Sequence, residues 1–287
     1  KFLVQFDFQM FYINDDIFFN YKDLDSNILN SFINYPIVQQ RIRYQNQKII
    51  NFDYHYFELM SLMRIQRMMI PENFNSSYFS EKIYSLIEKY YDKFNSYSID
   101  IKIVCSEVIT NKKLFPKINS LIKLEQITNL SYNDSSYQVD IYRERFISNN
   151  HFTFIGERNE IINSSKVYSY ENSFNDVFLI DNEKKVVRSS KGSVFFIYRN
   201  KVVTPLNHFR DLNSSIIERL FEKLNKNVDY EFSQESVSLF DVLKANEIFI
   251  FDLIDGIYSI KSYKKRKFEV SQTQKIYGLI INSVLDL

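Results

Sequence analysis

Histidine and cysteine, which often perform nucleophilic, acid–base or metal chemistry, are few in this sequence, and they stand far apart. The histidines His55, His151 and His208 lack the short spacing of metal ligands, so we expect no metal site. Cys105 is the only cysteine, and because no catalytic signature surrounds it we expect a buried strand residue. P-loop, dinucleotide-binding and nucleophile-elbow motifs do not occur. Any chemistry must therefore come from residues that no short motif marks.

Phosphate binding by backbone amides also has little support from the glycine content. The chain has 4 glycines in 287 residues, whereas average proteins contain about 7% glycine. A loop that holds phosphate on its amides usually needs glycine where the chain approaches the anion closely. Ser214 and Ser215 at a predicted helix start could bind an anion, but helix capping is the simpler interpretation.

Composition and charge are those of an ordinary globular protein. Hydrophobic residues make up 45% of the chain and charged residues 25%, and the formal net charge is +1. A charge so close to zero gives no reason to expect nucleic acid or an anionic membrane as a partner. No apolar run could cross a bilayer and no signal-peptide pattern is present, so we expect no membrane insertion. A single cysteine fits a reducing compartment, and we expect a cytoplasmic protein.

Short apolar runs between residues 177 and 205 predict the strands that would position a site. VFLID and VFFIY are rich in Val, Ile and Phe and have the length of strands. The polar turns NEKK and RNK follow them, which is typical of consecutive antiparallel strands. Thr204-Pro205 closes the last strand because proline has no N–H to donate. A helix is expected from Asn213 or Ser214, with apolar residues at helical spacing.

The first half of the chain predicts a β-rich opening followed by two helices. VQQRIRY and KIINF flank a polar QNQ turn and predict a hairpin. A helix over residues 54–69 should end before Pro71. A second helix should begin near Ser77. The apolar positions of the first helix include Phe57, Met60, Met63 and Met68, and we expect the methionines to fill gaps in the core; Ile83, Leu86, Ile87 and Tyr90 share one face of the second helix.

The polar stretch SYNDSS, residues 131–136, predicts a linker. It places the domain boundary so that residues 1–133 form one domain and residues 134–287 form the other. A chain of this length can bury a core in each of two such domains.

Several stretches together resemble one known family. NDVFLID, KKVVRSSKGSVFF, KVVTP and LNSSIIER follow the hydrophobic pattern of the class IV (fold type IV) aminotransferases, which include branched-chain aminotransferases and aminodeoxychorismate lyases. HYFELMSLMRIQRMMIP and SLFDVLKANEIFIFDLIDGIYSIKSY resemble further parts of that family. The resemblance implies an α/β (α+β) fold with a small N-terminal α/β domain and a larger, β-barrel-like C-terminal domain. It also implies pyridoxal phosphate (PLP) as cofactor and a homodimer.

Three family positions differ in kind from what PLP chemistry needs. A lysine must form an imine with PLP, a carboxylate must keep the pyridine nitrogen protonated, and an arginine must hold the phosphate. The resemblance puts Ile155 at the lysine, Arg188 at the carboxylate and Glu58 at the arginine. Isoleucine cannot form an imine, and the other two substitutions reverse the required charge. Taken alone, Arg188 would be interpreted as a solvated strand residue.

The remaining family positions give no stronger support for PLP. The glycine before the family's phosphate-binding helix falls near Ser214, with Ser215 beside it, and a threonine-type phosphate contact falls near Phe251 and Asp252. We therefore expect no bound cofactor and no catalytic residue. Lys166 is the alternative imine lysine if PLP binding is retained, although a solvated helix lysine is the simpler interpretation.

Three functions follow from these observations. The favoured one is a non-catalytic class IV homologue, a pseudoenzyme that acts as a binding or scaffold subunit in a dimer or larger assembly with protein partners. The alternative is an active PLP-dependent aminotransferase or aminodeoxychorismate lyase with a relocated lysine. The third is a cofactor-independent binder or enzyme in which Arg188 and Glu58 meet a polar ligand. The sequence leaves open whether the chain is an enzyme.

Overall fold

The computed structural model describes residues 10–35, 37–110, 113–148, 155–206, 214–226 and 229–286. They divide into two compact units, one that ends at Thr128 and one that begins at Asn129. Each unit combines a β-sheet with helices, so the predicted two-domain α/β (α+β) fold is confirmed. No helix in the described ranges is long and apolar enough to span a membrane.

The N-terminal unit is an antiparallel sheet with helices. Its described elements are β1 (Phe11–Ile13), β2 (Asp16–Phe18), α1 (Ser26–Asn34), β3 (Ile37–Gln45), β4 (Lys48–Ile49), α2 (Phe52–Ile65), α3 (Ser76–Tyr90), β5 (Ser96–Thr110) and β6 (Lys113–Ile127). The strand order is β2-β1-β6-β5-β3-β4, and each neighbouring pair is antiparallel. β5 and β6 pair along their full lengths and form the centre of this sheet.

The predicted hairpin around the QNQ turn is confirmed. Tyr44 pairs with Ile49 and Gln45 pairs with Lys48, which leaves a two-residue loop of Asn46 and Gln47. Both loop residues have positive φ, 53° and 61°. Two consecutive positive φ values are the signature of a type I′ turn, whose twist matches that of the strands it joins.

The two predicted helices form, but one apolar position in each is exposed. Met60 and Met63 are buried as predicted, and so are Ile83, Leu86 and Ile87. Phe57 is 64% exposed and Tyr90 is 38% exposed, so these two apolar positions lie outside the core. Periodicity alone cannot tell which edge of an apolar stripe the sheet covers.

His55 and Gln40 form a fully buried polar pair between α2 and the sheet. His55 Nδ1 lies 3.1 Å from Gln40 Oε1. His55 Nε2 and Gln40 Nε2 have no hydrogen-bond partner among the described residues. Burial lowers the pKa of His55 to about 4. The imidazole is therefore neutral near pH 7, and its role in the described structure is to join α2 to β3.

The C-terminal unit is built on a larger sheet. Its described elements are β7 (Ser131–Ile147), α4 (Ile155–Glu171), β8 (Asp176–Asp181), β9 (Lys185–Ser189), β10 (Ser193–Tyr198), β11 (Lys201–Pro205), α5 (Ser214–Leu224), β12 (Glu231–Glu235), β13 (Val237–Ser238), α6 (Leu239–Lys244), β14 (Glu247–Asp252), β15 (Gly256–Tyr263), β16 (Arg266–Lys267) and α7 (Ser271–Leu285). The strand order is β12-β11-β10-β14-β15-β7-β8-β9-β13, with β16 paired to β15.

This sheet curls into a nearly closed barrel, as predicted. β9 lies near one end of the strand order, yet it also contacts β10 and β11 near the other end. The predicted hairpins β8–β9 and β10–β11 are antiparallel, but they lie in different parts of the sheet. β7 and β8 are parallel neighbours whose connection contains α4, and β7 also pairs in parallel with β15.

β8 is buried on both of its faces, which explains the unbroken apolar run VFLID. Phe178 and Ile180 join the main core cluster with residues of β10, β14 and β15. Val177 and Leu179 point the other way and pack with Ile161 of α4. Alternate side chains of a strand lie on opposite faces, so a strand covered on both sides needs apolar residues at every position.

The predicted linker SYNDSS is wrong, because residues 131–136 belong to β7. Ser131, Tyr132 and Asn133 pair with the first residues of β15. The added backbone bonds explain why a polar stretch can be a strand: its side chains are mostly exposed while its main chain is paired.

Caps fix the ends of two helices in the C-terminal unit. α6 begins with a capping box, in which Ser238 and Asp241 are each bonded to the other's backbone N–H; the sequence SLFD, with Ser and Asp three residues apart, predicts it. At the start of α7, the fully buried Glu247 accepts hydrogen bonds from Gln272 N and Thr273 N, both at 2.8 Å. A carboxylate at this place satisfies amides that have no partner within the helix.

The buried His55 should make stability depend on pH. Its folded-state pKa of about 4 lies below the ordinary value of 6.5, so the unfolded chain takes up a proton first as pH falls. This linkage should cost up to about 3 kcal/mol of stability between pH 6.5 and 4. Denaturant unfolding at a series of pH values should show a smaller loss for His55→Gln than for the wild type. Equal losses in the two proteins would contradict this assignment.

Candidate functional site

Arg188 lies near the end of β9 and is buried, which corrects the interpretation as a solvated strand residue. It is paired with Leu179 of β8. Its side-chain Nε donates a hydrogen bond of 2.8 Å to the carbonyl oxygen of Ser189. A guanidinium carries its charge in the interior only when its N–H groups find acceptors, and this carbonyl is one of them.

The loop between β9 and β10 is a tight turn built on the Ser189 side chain. Ser189 Oγ accepts hydrogen bonds from Lys191 N at 3.1 Å and Gly192 N at 2.9 Å, and it donates to Gly192 O. A Cβ at Gly192 would lie 2.3 Å from the carbonyl oxygen of Phe251. Glycine is therefore required here, because the loop passes directly over the end of β14.

Asp176 fixes this loop to the start of β8. Its side chain is buried, and Oδ1 accepts hydrogen bonds from Val177 N at 2.7 Å, Ser190 N at 3.1 Å and Ser190 Oγ at 2.5 Å. Oδ2 has no hydrogen-bond partner among the described residues. Burial raises the pKa of this carboxyl despite the hydrogen bonds. Asp176 thus stabilises the loop that follows Arg188, at the cost of one poorly solvated oxygen.

Phe251 and Asp252 end β14 beside this loop. Phe251 is fully buried and pairs with Ser193. Asp252 Oδ1 accepts hydrogen bonds from Ile254 N at 2.8 Å and Asp255 N at 2.9 Å, which is the geometry of an Asx-turn. Burial raises the pKa of Asp252. We call residues 252–255 the Asp252 turn; its amides are occupied by the chain's own carboxylate.

Lys191 connects the two loops. Its Nζ lies 3.0 Å from Asp255 Oδ2 and 3.9 Å from the ring centroid of Tyr258. Burial opposes the charged form, but hydrogen bonds to Tyr258 and Asp255 outweigh it and raise the pKa of Lys191. The amine is therefore protonated at neutral pH, and it is not ready to act as a nucleophile.

Gly256 follows the Asp252 turn and has a φ of +98°. A Cβ there would lie 2.2 Å from the carbonyl oxygen of Ser131. Both the conformation and the close approach of β7 require glycine. Gly192 and Gly256 are two of the chain's four glycines, and they allow the backbones of three segments to approach closely.

The other predicted positions belong to the helices α2, α4 and α5. Glu58 is buried on α2 of the N-terminal unit, one turn from His55. Ile155 begins α4, and Ser214 and Ser215 begin α5, but their side chains lie outside the described part of the structure. Lys166 is exposed on α4, as the simpler interpretation predicted.

Three further predictions concern the remaining histidines and the cysteine. His151 and His208 lie outside the described residues. Cys105 is half-buried in β5, so it is a strand residue, although less buried than predicted. Within the described ranges, no group of three His, Cys, Asp or Glu side chains could hold a metal ion.

Sequence reasoning located Arg188, Phe251 and Asp252, and the structure brings their segments together. It missed Asp176, Lys191 and Asp255. The spacing of Asp252, Asp255 and Gly256 in DLIDG is a turn signal that could have been recognised. The contact between Asp176 and Ser190 joins residues fourteen positions apart and has no local signal.

The side chains found here differ chemically from those that PLP needs. A protonated pyridine nitrogen needs a carboxylate partner, whereas Arg188 presents a cation. A phosphate needs cations and vacant amides, whereas the Asp252 turn presents a carboxylate whose amide partners are in use. These described residues do not fit PLP, and we derive no catalytic step through it.

Comparisons with known proteins identify the family. The sequence profile of the family described as amino-transferase class IV matches residues 40–263. An aminotransferase from Brucella abortus bound to PLP is similar in structure, with a TM-score of 0.79 and 13% identity over 95% of this chain and 97% of that one. No curated protein is significantly similar in sequence.

Two branched-chain aminotransferases are similar to the same degree. The enzyme from the archaeon Thermoproteus uzoniensis has a TM-score of 0.78 and 13% identity, over 96% of this chain and 95% of that chain. The enzyme from Escherichia coli has a TM-score of 0.76 and 12% identity, over 95% and 91%. At such identities the structures establish the fold, and the profile match over most of the sequence establishes the family. This chain belongs to the class IV aminotransferase family.

Proposed function

We propose that this chain is a non-catalytic class IV aminotransferase homologue that acts as a binding or scaffold subunit. The observation that carries the proposal is the buried Arg188 at the position where the resemblance implies a carboxylate. The remaining support comes from the Asp252 turn and from the lysines.

Arg188 disfavours PLP through its charge. PLP works as an electron sink only while its ring nitrogen is protonated, and a cation nearby raises the cost of that proton. Since Arg188 is buried, little water is available to screen the repulsion. Its hydrogen bond to Ser189 O also anchors the guanidinium in place.

The Asp252 turn disfavours the cofactor's phosphate. Amides of residues 254 and 255 point at Asp252 Oδ1, so they are not available to a second anion. Glu58, at the position of the family's phosphate-binding arginine, adds another carboxylate in place of a cation. Each substitution alone would weaken phosphate binding, and both act in the same direction.

The lysines give the cofactor no obvious attachment. Ile155 replaces the lysine that the resemblance implies. Lys191 is paired with Asp255 and protonated, and Lys166 is exposed on α4. An imine lysine works best where its pKa is lowered by burial or by another cation, whereas the pKa of Lys191 is raised by its hydrogen bonds to Tyr258 and Asp255.

Purified protein incubated with PLP should form no specific imine. After borohydride reduction, mass spectrometry should find only low, scattered labelling of exposed lysines, which Lys166→Arg would not change. An active class IV aminotransferase treated in parallel should be labelled fully at one lysine. Full labelling of one lysine in this chain, abolished by its replacement with arginine, would instead establish the active-enzyme alternative.

Asp252→Ala tests whether the carboxylate occupies the turn. The variant leaves a part-buried amide, that of Ile254, and the more exposed amide of Asp255 without their acceptor, so the free energy of unfolding should fall by about 1–2 kcal/mol. Asp255→Ala is the matched control; it removes a partly exposed ion pair and should cost about 0–1 kcal/mol. Inorganic phosphate should raise the melting temperature of Asp252→Ala but not of the wild type. An equal rise in both would show that Asp252 does not block the amides.

A scaffold role requires a partner, and the resemblance to a homodimeric family makes a second copy of the chain the first one to test. Sedimentation equilibrium of the purified protein should give the mass of a dimer, about twice 34.6 kDa. A monomer at all concentrations, with no protein co-purifying from native extracts, would count against a scaffold role.

A further inference from the structure

The N-terminal unit contains a cavity of about 990 Å³ between α1 and the strands β5 and β6. Cavities that bind small molecules measure roughly 300–1,000 Å³, so this one is large enough for a ligand of more than one ring. All of its lining residues belong to the N-terminal unit, and none of them is a position discussed above.

One wall of the cavity is a row of asparagines on α1. Asn27, Asn30 and Asn34 are spaced by three and four residues, so their amides lie on the same face of the helix. The other face of α1 places Leu29 and Phe32 against a core cluster with β1 and β6. Because the core holds one face, the helix must present its asparagine face to the cavity.

The opposite wall comes from β5 and β6. Ser106 and Lys117 are paired in register there, and Asn119 lies two residues further along β6. Asn119 is buried, and its Nδ2 donates to Ser31 Oγ at 3.3 Å and to Ser106 Oγ at 3.5 Å. Ser31 Oγ itself donates to Ile28 O at 2.6 Å and Ser106 Oγ to Lys117 O at 3.4 Å, so each hydroxyl oxygen retains one acceptor site for a ligand.

The lining decides the ligand's chemistry. An apolar molecule would remove water from the amides without replacing its hydrogen bonds, which is costly. Among the described lining residues there is one cation, Lys117, and one carboxylate, Asp25, whose Oδ1 already accepts from Asn27 N at 2.7 Å. The opposite charges leave no net charge to attract an anion or a cation.

We propose that this cavity binds a neutral, polyhydroxylated ligand such as an oligosaccharide. Side-chain amides both donate and accept, so they match sugar hydroxyls, which do the same. Tyr35 and Ile28 add small apolar surfaces for the C–H faces of a sugar ring. The proposal does not depend on the cofactor question, because it uses no residue of the C-terminal unit.

Isothermal titration of the full chain with maltose tests the site. The wild type should bind, and Asn30→Ala/Asn34→Ala should weaken binding at least about tenfold. Alanine is the best helix former, so the variant should keep α1, which circular dichroism would check. Ile33→Ala, an exposed position on the same helix that does not line the cavity, is the matched control and should bind as the wild type does.

Glucose 6-phosphate distinguishes a neutral ligand from an anionic one. It should bind no more tightly than maltose, because the opposite charges of Lys117 and Asp25 give its phosphate no net attraction. Absence of maltose binding, equal binding by the double variant, or tighter binding of the phosphorylated sugar would each overturn the proposal. Should the double variant fail to fold, Asn27→Ala at the first turn provides the same comparison with one substitution.

Discussion

Three carboxylates in the C-terminal unit, of which Asp176 and Glu247 are buried and Asp252 is half-buried, accept hydrogen bonds from backbone amides, and the segments they hold depend on these bonds. Asp176 accepts from Ser190 N, Glu247 from Gln272 N and Thr273 N, and Asp252 from Ile254 N and Asp255 N. A carboxylate that leaves water must regain hydrogen bonds or its burial is prohibitive. Each therefore holds a segment of chain in one place: the β9–β10 loop, the start of α7 and the β14–β15 turn. The same bonds use amides that an external anion would need.

The barrel fold does not depend on these carboxylates, because its core is built from a different set of residues. The barrel core consists of apolar side chains such as Phe178, Val194 and Ile250. Cores accept wide substitution when volume and pattern are kept. This explains how a chain can share only 13% identity with the Brucella abortus aminotransferase while keeping a TM-score of 0.79. Fold and cofactor chemistry can then diverge independently.

The N-terminal unit uses polar groups in another way. His55 and Gln40 are buried as a neutral pair with unsatisfied nitrogens, which makes the link between α2 and β3 sensitive to protons. On the other side of the sheet's central strands, α1 turns a row of amides toward an open cavity where water or a ligand can satisfy them. The burial of a polar group thus decides its role. An enclosed polar group constrains the fold, whereas an accessible one can recognise a ligand.

The sequence by itself determined the local elements: the β3–β4 hairpin through its turn, the strands VFLID and VFFIY through their apolar runs, and α6 through its capping box. It also led to the prediction, from the resemblance alone, that Arg188 and Asp252 stand where the family has residues of different chemistry. Only the tertiary structure decided that residues 131–136 pair with β15, that Arg188 is buried, and that Gly192 packs against Phe251. Local preferences act over a few neighbouring residues, whereas strand pairing and burial depend on segments that meet only after the chain has closed on itself.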